Sequence, residues 1–332
     1  MNETSMPTEV WHYTDANGLL GMVRDRSIWA GCTDFMNDEK EAIKGIELLR
    51  SRWGARGTEA SSNEEREEIE RLIASMESSK SRQYIVSASE QSDSLTLWRN
   101  YGREAVSYAV RLDPSVKLVP VPLSKYWDKN DWPDAPPDYL DPYIQEYEDS
   151  SGQLQQVLSE YPDMVHSRQR DGWKKVEYID ANQVAIVDNV AKEILTPRVE
   201  KKQGLASLFE TVILEMLWEE QLTLIKDRGF HHEEEVRLHV YAISPEWRFV
   251  HYRATALGVT PYIVLTEAVD QTEGDYRFGS VIFEKKPRKL PILAIRISPT
   301  RYPELAEKGL RNILDENGYT NVEILKSEVP FR

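Results

Sequence analysis

Hydrophobic and polar positions alternate most clearly over Phe230–Tyr241, FHHEEEVRLHVY, and the alternation predicts a strand. Val236, Leu238 and Val240 fall on one face at period two. Glu233, Glu235, Arg237 and His239 fall on the other. An apolar face belongs against a core. A face of carboxylate, carboxylate, guanidinium and imidazole is unusual, because buried charge is costly unless it is paired or used. The plainer alternative is an outer face turned to water.

The chain before this stretch alternates strands and helices. Val10–Thr14 is a first short strand, with His12 sharing a face with Val10 and Thr14, and Trp11 and Tyr13 opposite. Asp15 is placed to cap a helix through about Arg26, with Leu19, Leu20 and Val23 as its stripe. Ser27–Thr33 is a second extended piece. The polar turn Asn37-Asp38-Glu39-Lys40-Glu41 leads into a helix with Ile43, Ile46 and Leu49 inward. Ser62 to about Arg82 is the clearest helix. Ser62 and Glu65 fit a capping box, and Ile69, Leu72, Ile73 and Met76 recur at helical spacing. Tyr84–Ser89 is a strand. LTLWRNYG makes one or two helical turns with Trp98 and Tyr101 on one side, ended by Gly102. Ala105–Leu112 is a strand with Val106, Tyr108, Val110 and Leu112 on one face.

Residues 113–142 are rich in proline and aromatics and read as a long loop. About 143–221 reads as mostly helical, with Leu205, Leu208, Phe209, Val212, Ile213, Met216 and Leu217 as a broad apolar face. Strands resume directly afterwards at Phe249–Thr255, Pro261–Glu267 and Ile292–Ser298. Pro303–Asn317 is a helix with Leu305, Leu310, Ile313 and Leu314 inward, closed by Gly318, and Val322–Leu325 is a last strand. The pattern predicts an α+β (mixed α/β) protein. It has a single domain over 1–332, with 113–221 as a loop and helical insertion. The tail SEVPFR is expected to be docked rather than frayed.

Composition narrows the function classes. At 332 residues, 40% apolar and 29% charged, the chain is an ordinary globular one. No apolar run approaches the roughly 20 residues of a membrane helix. MNETSMPTEVWHY lacks the basic and apolar regions of a signal peptide, so a cytoplasmic, microbial protein with no membrane partner is expected. The single Cys32 excludes an intrachain disulfide and a multi-cysteine zinc site, and suits a small buried residue. A net charge of −15 argues against broad, charge-driven nucleic-acid binding. Lys285, Lys286, Arg288 and Lys289 read as a loop cluster. His231-His232 lacks a third ligand at regular spacing, and no metal is expected. Asn37, Asp38, Glu39 and Glu41 are explained more simply as a helix cap than as a cation site. There is no GxGxxG after a strand, no GxxxxGK[ST] and no GxSxG, which weakens the dinucleotide-fold, P-loop and hydrolase readings.

Five motifs stand in a distinctive order: HYT near the start, NDEKE, SASEQSDSLTLWRNYG, IKDRGFHHEEEVRL and the terminal SEVPFR. In this combination the chain resembles the bacterial family known as domain of unknown function 2971. The match covers roughly 10–41, 84–112 and 222–332. That family is similar to the ADP-ribosyltransferase superfamily. The resemblance implies a split, mixed sheet flanked by helices that binds NAD. Its site would use an early-strand His or Arg, a middle aromatic or Ser, and a late-strand Glu. Carried across, His12 takes the first position and Glu235 the last. The middle position falls among Ser87, Trp98, Tyr101 and Tyr108. The tyrosine spacing of toxin-like members is absent, which keeps inactive, ligand-binding relatives in view.

Breaking the nicotinamide–ribose bond passes through an oxocarbenium-like sugar, which needs a fixed negative group or a grip on the ribose hydroxyls. On the resemblance Glu235 is the catalytic group. His12, Tyr13, Thr14, Ser87, Trp98, Tyr101 and Arg237 are the NAD-binding candidates, with Arg237 placed to meet the pyrophosphate or merely to neutralise Glu233. Trp98 and Tyr101 have a plainer reading as core residues, and His12 as a hydrogen-bonded core histidine. The implied function is an NAD-consuming transferase or glycohydrolase, a candidate toxin or anti-phage effector, acting on a protein or RNA acceptor. The alternatives are a sensor of the same fold that binds nucleotide or protein without turnover, and a structural partner docking through 113–221.

Overall fold

The computed structural model describes residues 6–35, 39–55, 57–78, 82–101, 106–121, 172–196, 216–242, 249–268 and 287–330, with short pieces between them. In chain order the elements are β1 (Trp11–Asp15), α1 (Ala16–Arg24), β2 (Ile28–Cys32), α2 (Glu39–Trp53), α3 (Asn63–Ser78), β3 (Arg82–Ser89), α4 (Leu95–Tyr101), β4 (Ser107–Leu112) and β5 (Leu118–Pro120). Four short strands follow, β6 (Glu146–Glu148), β7 (Leu154–Gln156), β8 (Val165–His166) and β9 (Lys174–Lys175). Then come α5 (Asp180–Leu195), α6 (216–223), β10 (Glu235–Ala242), β11 (Val250–Thr255), β12 (Gly258–Glu267), β13 (Ile292–Ile297), α7 (Pro303–Glu316) and β14 (Glu323–Lys326).

Twelve of the strands form one mixed, open sheet flanked by helices, and β6 and β7 form a separate hairpin. Strand β3 organises the sheet. Along one edge it pairs over its whole length with β10, from Glu235 opposite Ser89 to Ala242 opposite Arg82. Its other edge is divided. Ser89 faces Trp11 of β1, whereas Ile85 and Tyr84 face Gly31 and Cys32 of β2. Between them no strand of the described chain faces Ser87. The sheet forks there. One wing runs from β1 through β4 and β13 to β14, and the other from β2 through β12 to β11.

The main core lies on the face shared by both wings. Val86 and Ala88 of β3, Val236 and Leu238 of β10, Val110 and Leu112 of β4, and Ile28 and Ala30 of β2 meet Leu19, Met22 and Val23 of α1 and Leu310 and Leu314 of α7. Each large aliphatic side chain buried this way contributes roughly 1.5–3 kcal/mol. A second core joins α2, α3, α5 and α6 through Leu49, Ile69, Ile73, Val187, Val190, Trp218 and Leu222. Gly45 lets α2 approach α6, because a Cβ there would collide with the Leu222 backbone.

Most expected elements are found, and several differ in a physically clear way. Phe230–Glu233 is not strand but the end of a 3-10 turn, Arg228–Glu233. Asp227 caps that turn by accepting from the Gly229 N–H, and Glu234, at φ 41°, breaks the chain direction so that β10 begins at Glu235. Asp15 caps α1 as expected, accepting from the Gly18 N–H at 2.8 Å, but α1 stops at Arg24. Ser62 accepts from the Glu65 N–H, while the Glu65 carboxylate reaches Ser61 rather than closing the box on Ser62. Ile43 and Leu305, expected inward, are exposed at the margins of their helices. Trp98 is buried and Tyr101 exposed, so the two do not form one packed side.

Where it is described, region 143–221 is mostly helical, through α5 and α6, but it also holds the short strands β6 to β9, of which β8 and β9 pair with the free edge of β10. Its helices sit in the second core. Leu205, Leu208, Phe209, Val212, Ile213, Gly102, Asn37, Asp38, Lys285, Lys286 and the last two residues lie outside the described residues. No helix of the described chain is long and apolar enough to cross a membrane.

The tail is tied down at Ser327 and Glu328. Asp93 Oδ1 accepts from Trp98 Nε1 at 2.8 Å and from Ser327 Oγ at 2.6 Å, and Oδ2 accepts from the Glu328 N–H at 2.7 Å. One carboxylate thus joins two motifs 234 residues apart in the chain. Hydrogen bonds to a charged group are worth about 1.5–3 kcal/mol each and are not additive. Asp93→Ala is therefore expected to lower stability by about 3 kcal/mol in a denaturant titration. Truncation after Lys326 should give a loss of the same order. A change below about 0.5 kcal/mol in either would contradict the docked tail.

Candidate functional site

The fork leaves a backbone problem that one side chain answers. Along β3 the Ser87 carbonyl points to the divided edge, where neither wing supplies a strand. His12 Nδ1 lies 2.9 Å from that oxygen. A carbonyl only accepts, so Nδ1 must carry the proton and Nε2 holds a lone pair. Burial lowers the imidazole pKa. The bond to Ser87 offsets part of that shift, and the Arg253 charge adds to it. The ring is neutral at physiological pH. His12 is half-buried, so the fork presents an acceptor nitrogen that suits a hydroxyl donor.

Glu235 sits one strand away, in a different setting. The register places Trp11, Ser89 and Glu235 in one row across β1, β3 and β10. Residues in register share a face, so Glu235 lies on the face of Trp11 and Tyr13. His12 is in register with Val110 and leaves β1 on the core face. The two strands are close, as the sequence suggests, but the two side chains start from opposite faces.

The Glu235 carboxylate is fully engaged. Oε1 accepts from Arg237 Nε at 2.7 Å, and Oε2 accepts from Arg237 Nη2 at 2.9 Å and Lys226 Nζ at 2.9 Å. Lys226 also meets Glu233 at 2.8 Å. Arg237 Nη1 donates to the Thr223 carbonyl, Thr223 Oγ1 contacts His239 Nε2, and Lys174 pairs with Glu220 at 2.7 Å. Three carboxylates face three cations under α6. Glu235 is only 6% exposed and Arg237 1%. Burial opposes ionisation of Glu235, but the charge and hydrogen bonds of Arg237, and then those of Lys226, outweigh it and hold the carboxyl at about 2. Burial pushes His239 down to about 4 despite the pull of Glu220.

The other expected site residues are dispersed. Tyr13 donates from its hydroxyl to the Gln91 carbonyl, accepts from the Ser94 N–H and stacks edge-on against Trp98 at 4.6 Å. Both rings serve a small core under α4. Thr14 packs against Gly18 of α1. Tyr108 is half-buried against the main core, and Tyr101 is exposed. Ser87 shares the Arg237 face and is partly open. Ser89 donates to the Glu233 carbonyl at 2.6 Å, which fixes the 3-10 turn to β3.

Sequence reasoning missed Lys226, Glu220, Lys174 and Thr223, which complete the charged cluster. A signal existed for Lys226: a charged face on a strand demands counter-charges, and IKDRG lies just upstream. It also missed Trp29, Arg253 and Tyr262 on the second wing. Among the described residues no three His, Cys, Asp or Glu side chains are placed to hold a metal ion. No family model matches this chain, and no curated protein or solved structure is similar enough to count as a match.

The cluster makes stability depend on pH in one direction. Both Glu235 and His239 have pKa values below their ordinary 4.5 and 6.5. In each case the unfolded chain binds the proton more readily, so the contribution is complete above the ordinary value and fades as pH falls toward the folded one. His239 should erode stability between about pH 6.5 and 4, and Glu235 between about 4.5 and 2, each on the order of 3 kcal/mol. Denaturant midpoints measured from pH 7 to 4 should decline, and His239→Gln should flatten the upper part of that slope. A flat profile in the wild type would contradict the cluster.

Proposed function

We propose that the chain is an ADP-ribosyltransferase-like protein whose forked sheet is the split sheet of that superfamily, and that it binds NAD at the fork as a sensor. The observation that carries this reading is the fork at Ser87 with His12 set into it. A neutral imidazole, fixed by a backbone bond and offering Nε2, is suited to a ribose hydroxyl. The clamped Glu235 favours binding over turnover. Its charge is already neutralised by Arg237 and Lys226, it is buried, and it leaves β10 on the face away from the root of His12. A partner protein would read the bound state.

A second reading, NAD cleavage with or without transfer to a protein or RNA, draws on one observation: Glu235 is held ionised at any working pH. A permanent anion is what an oxocarbenium-like sugar requires. In that case the carboxylate must first be freed from its cations.

Calorimetric titration with NAD, together with an assay of free nicotinamide, separates the readings. The wild type should bind NAD, and His12→Ala should bind about tenfold more weakly, the equivalent of one hydrogen bond. Nicotinamide should stay below detection with protein and RNA acceptors present. Release that drops on the order of 10²–10³ in Glu235→Gln, but not in the exposed control Glu234→Gln, would establish the second reading instead. Thermal unfolding must accompany the Glu235 variant, because breaking a buried ion pair can cost about 3–5 kcal/mol by itself. Failure of the wild type to bind NAD would overturn the ligand assignment.

A further inference from the structure

The second wing carries two exposed side chains, Trp29 and Arg253, over a buried tyrosine, Tyr262, that packs with Val121 and Val264. On β2, Ile28, Ala30 and Cys32 face the core, so Trp29 points the other way and is 39% exposed. Tyr262 of β12 lies on the same face, with ring centroids 4.5 Å apart. Arg253 of β11 reaches over both rings, 5.5 Å from Trp29 and 5.7 Å from Tyr262. Its side chain is exposed, and among the described residues no carboxylate lies within ion-pair distance of it. In a chain of net charge −15, an unpaired guanidinium resting on two rings is conspicuous. His251 stands beside Tyr262 at 5.2 Å, and its Nε2 is buried with no hydrogen-bond partner among the described residues. A Cβ on Gly31 would lie 3.9 Å from Arg253 Nη2, so the guanidinium runs along the Gly31 backbone. Gly31 faces Ile85, two residues from Ser87, so the group adjoins the fork from the face away from the core, where the Arg253 charge still acts on His12.

We propose that Trp29 and Arg253, backed by the buried Tyr262 ring, form the outer half of a nucleotide site: the indole stacks on the ligand's planar base, and the guanidinium meets its phosphate. The location beside His12 rests on the reading given above, but the chemistry does not. An exposed indole offers a large stacking face, a guanidinium over aromatic rings is pre-organised for a phosphate oxygen, and both favour a ligand carrying ring and anion together.

The test is calorimetry at low salt with ADP-ribose, AMP and adenosine, using the wild type, Arg253→Gln, Trp29→Ala and His12→Ala. AMP should bind at least tenfold more tightly than adenosine, and Arg253→Gln should erase that difference. Trp29→Ala should weaken all three by about ten- to a hundredfold. Thermal midpoints of both wing variants should stay near wild type, since both side chains are exposed. If ADP-ribose binding is lost in His12→Ala but unchanged in Arg253→Gln and Trp29→Ala, the fork reading stands and this inference falls. If AMP binds with dependence on Arg253 while neither NAD nor ADP-ribose binds, this inference stands and the NAD reading falls. Equal affinity for AMP and adenosine, or no binding of any of them, overturns the inference.

Discussion

The architecture depends on a competition for one edge of β3. Strand β1 claims it at Ser89 and β2 claims it at Ile85, and the two diverge before either reaches Ser87. A backbone carbonyl left unsatisfied in a half-buried place costs about 1–3 kcal/mol, so the division is tolerable only if something else donates. His12 does so with Nδ1. Once the edge is divided, the wings splay and can share one core. That is why Val10, Ile28, Ile263 and Ile295, from four strands on two wings, belong to one apolar cluster. Trp29 and Arg253 lie exposed on the second wing, beside the fork.

The charged face of β10 answers a different constraint. Below α6 it cannot reach water, so its charges must be balanced where they stand. Arg237 grips Glu235 with two nitrogens, and Lys226 bridges Glu235 to Glu233. Such a cluster is weak support for stability as a whole, yet the loss of any single member strands an opposite charge. Through Lys226 and Glu233 it also ties the 3-10 turn to the start of β10. A carboxylate occupied on both oxygens has little left for a ligand.

Much of the fold is legible in the sequence because period-two and helical patterns report burial directly. Ile69, Leu72, Ile73 and Met76 mark one face of α3, and Val236, Leu238 and Val240 mark one face of β10, and all are buried. Pattern fails where local chemistry overrides it. HHE at 231–233 has no apolar position to mark a strand face, and Asp227 and Gly229 form a capped turn that ends in a left-handed Glu234. Pattern also cannot report which strands meet. The fork, and the fact that His12 and Glu235 leave the sheet on opposite faces, follow from register between positions more than 70 and 200 residues apart. Trp29 was visible in principle, as the outward residue of an otherwise core-facing strand, but an isolated aromatic says nothing until Arg253 and Tyr262 are beside it.

The division of β3 has a consequence for how the chain is made. On a ribosome β3 emerges early, but its long partner β10 follows some 150 residues later, and β2 waits still longer for Tyr262 of β12. Until then the β10 edge of β3 and the β12 edge of β2 are open templates, displaying the pattern that recruits foreign strands and promotes aggregation. Helices α2 and α3 emerge between β2 and β3 and can pack on each other first. The nascent protein thus passes through a long interval with a local helical hairpin and an unfinished sheet, and chaperone demand should be concentrated there, before the last third of the chain is released.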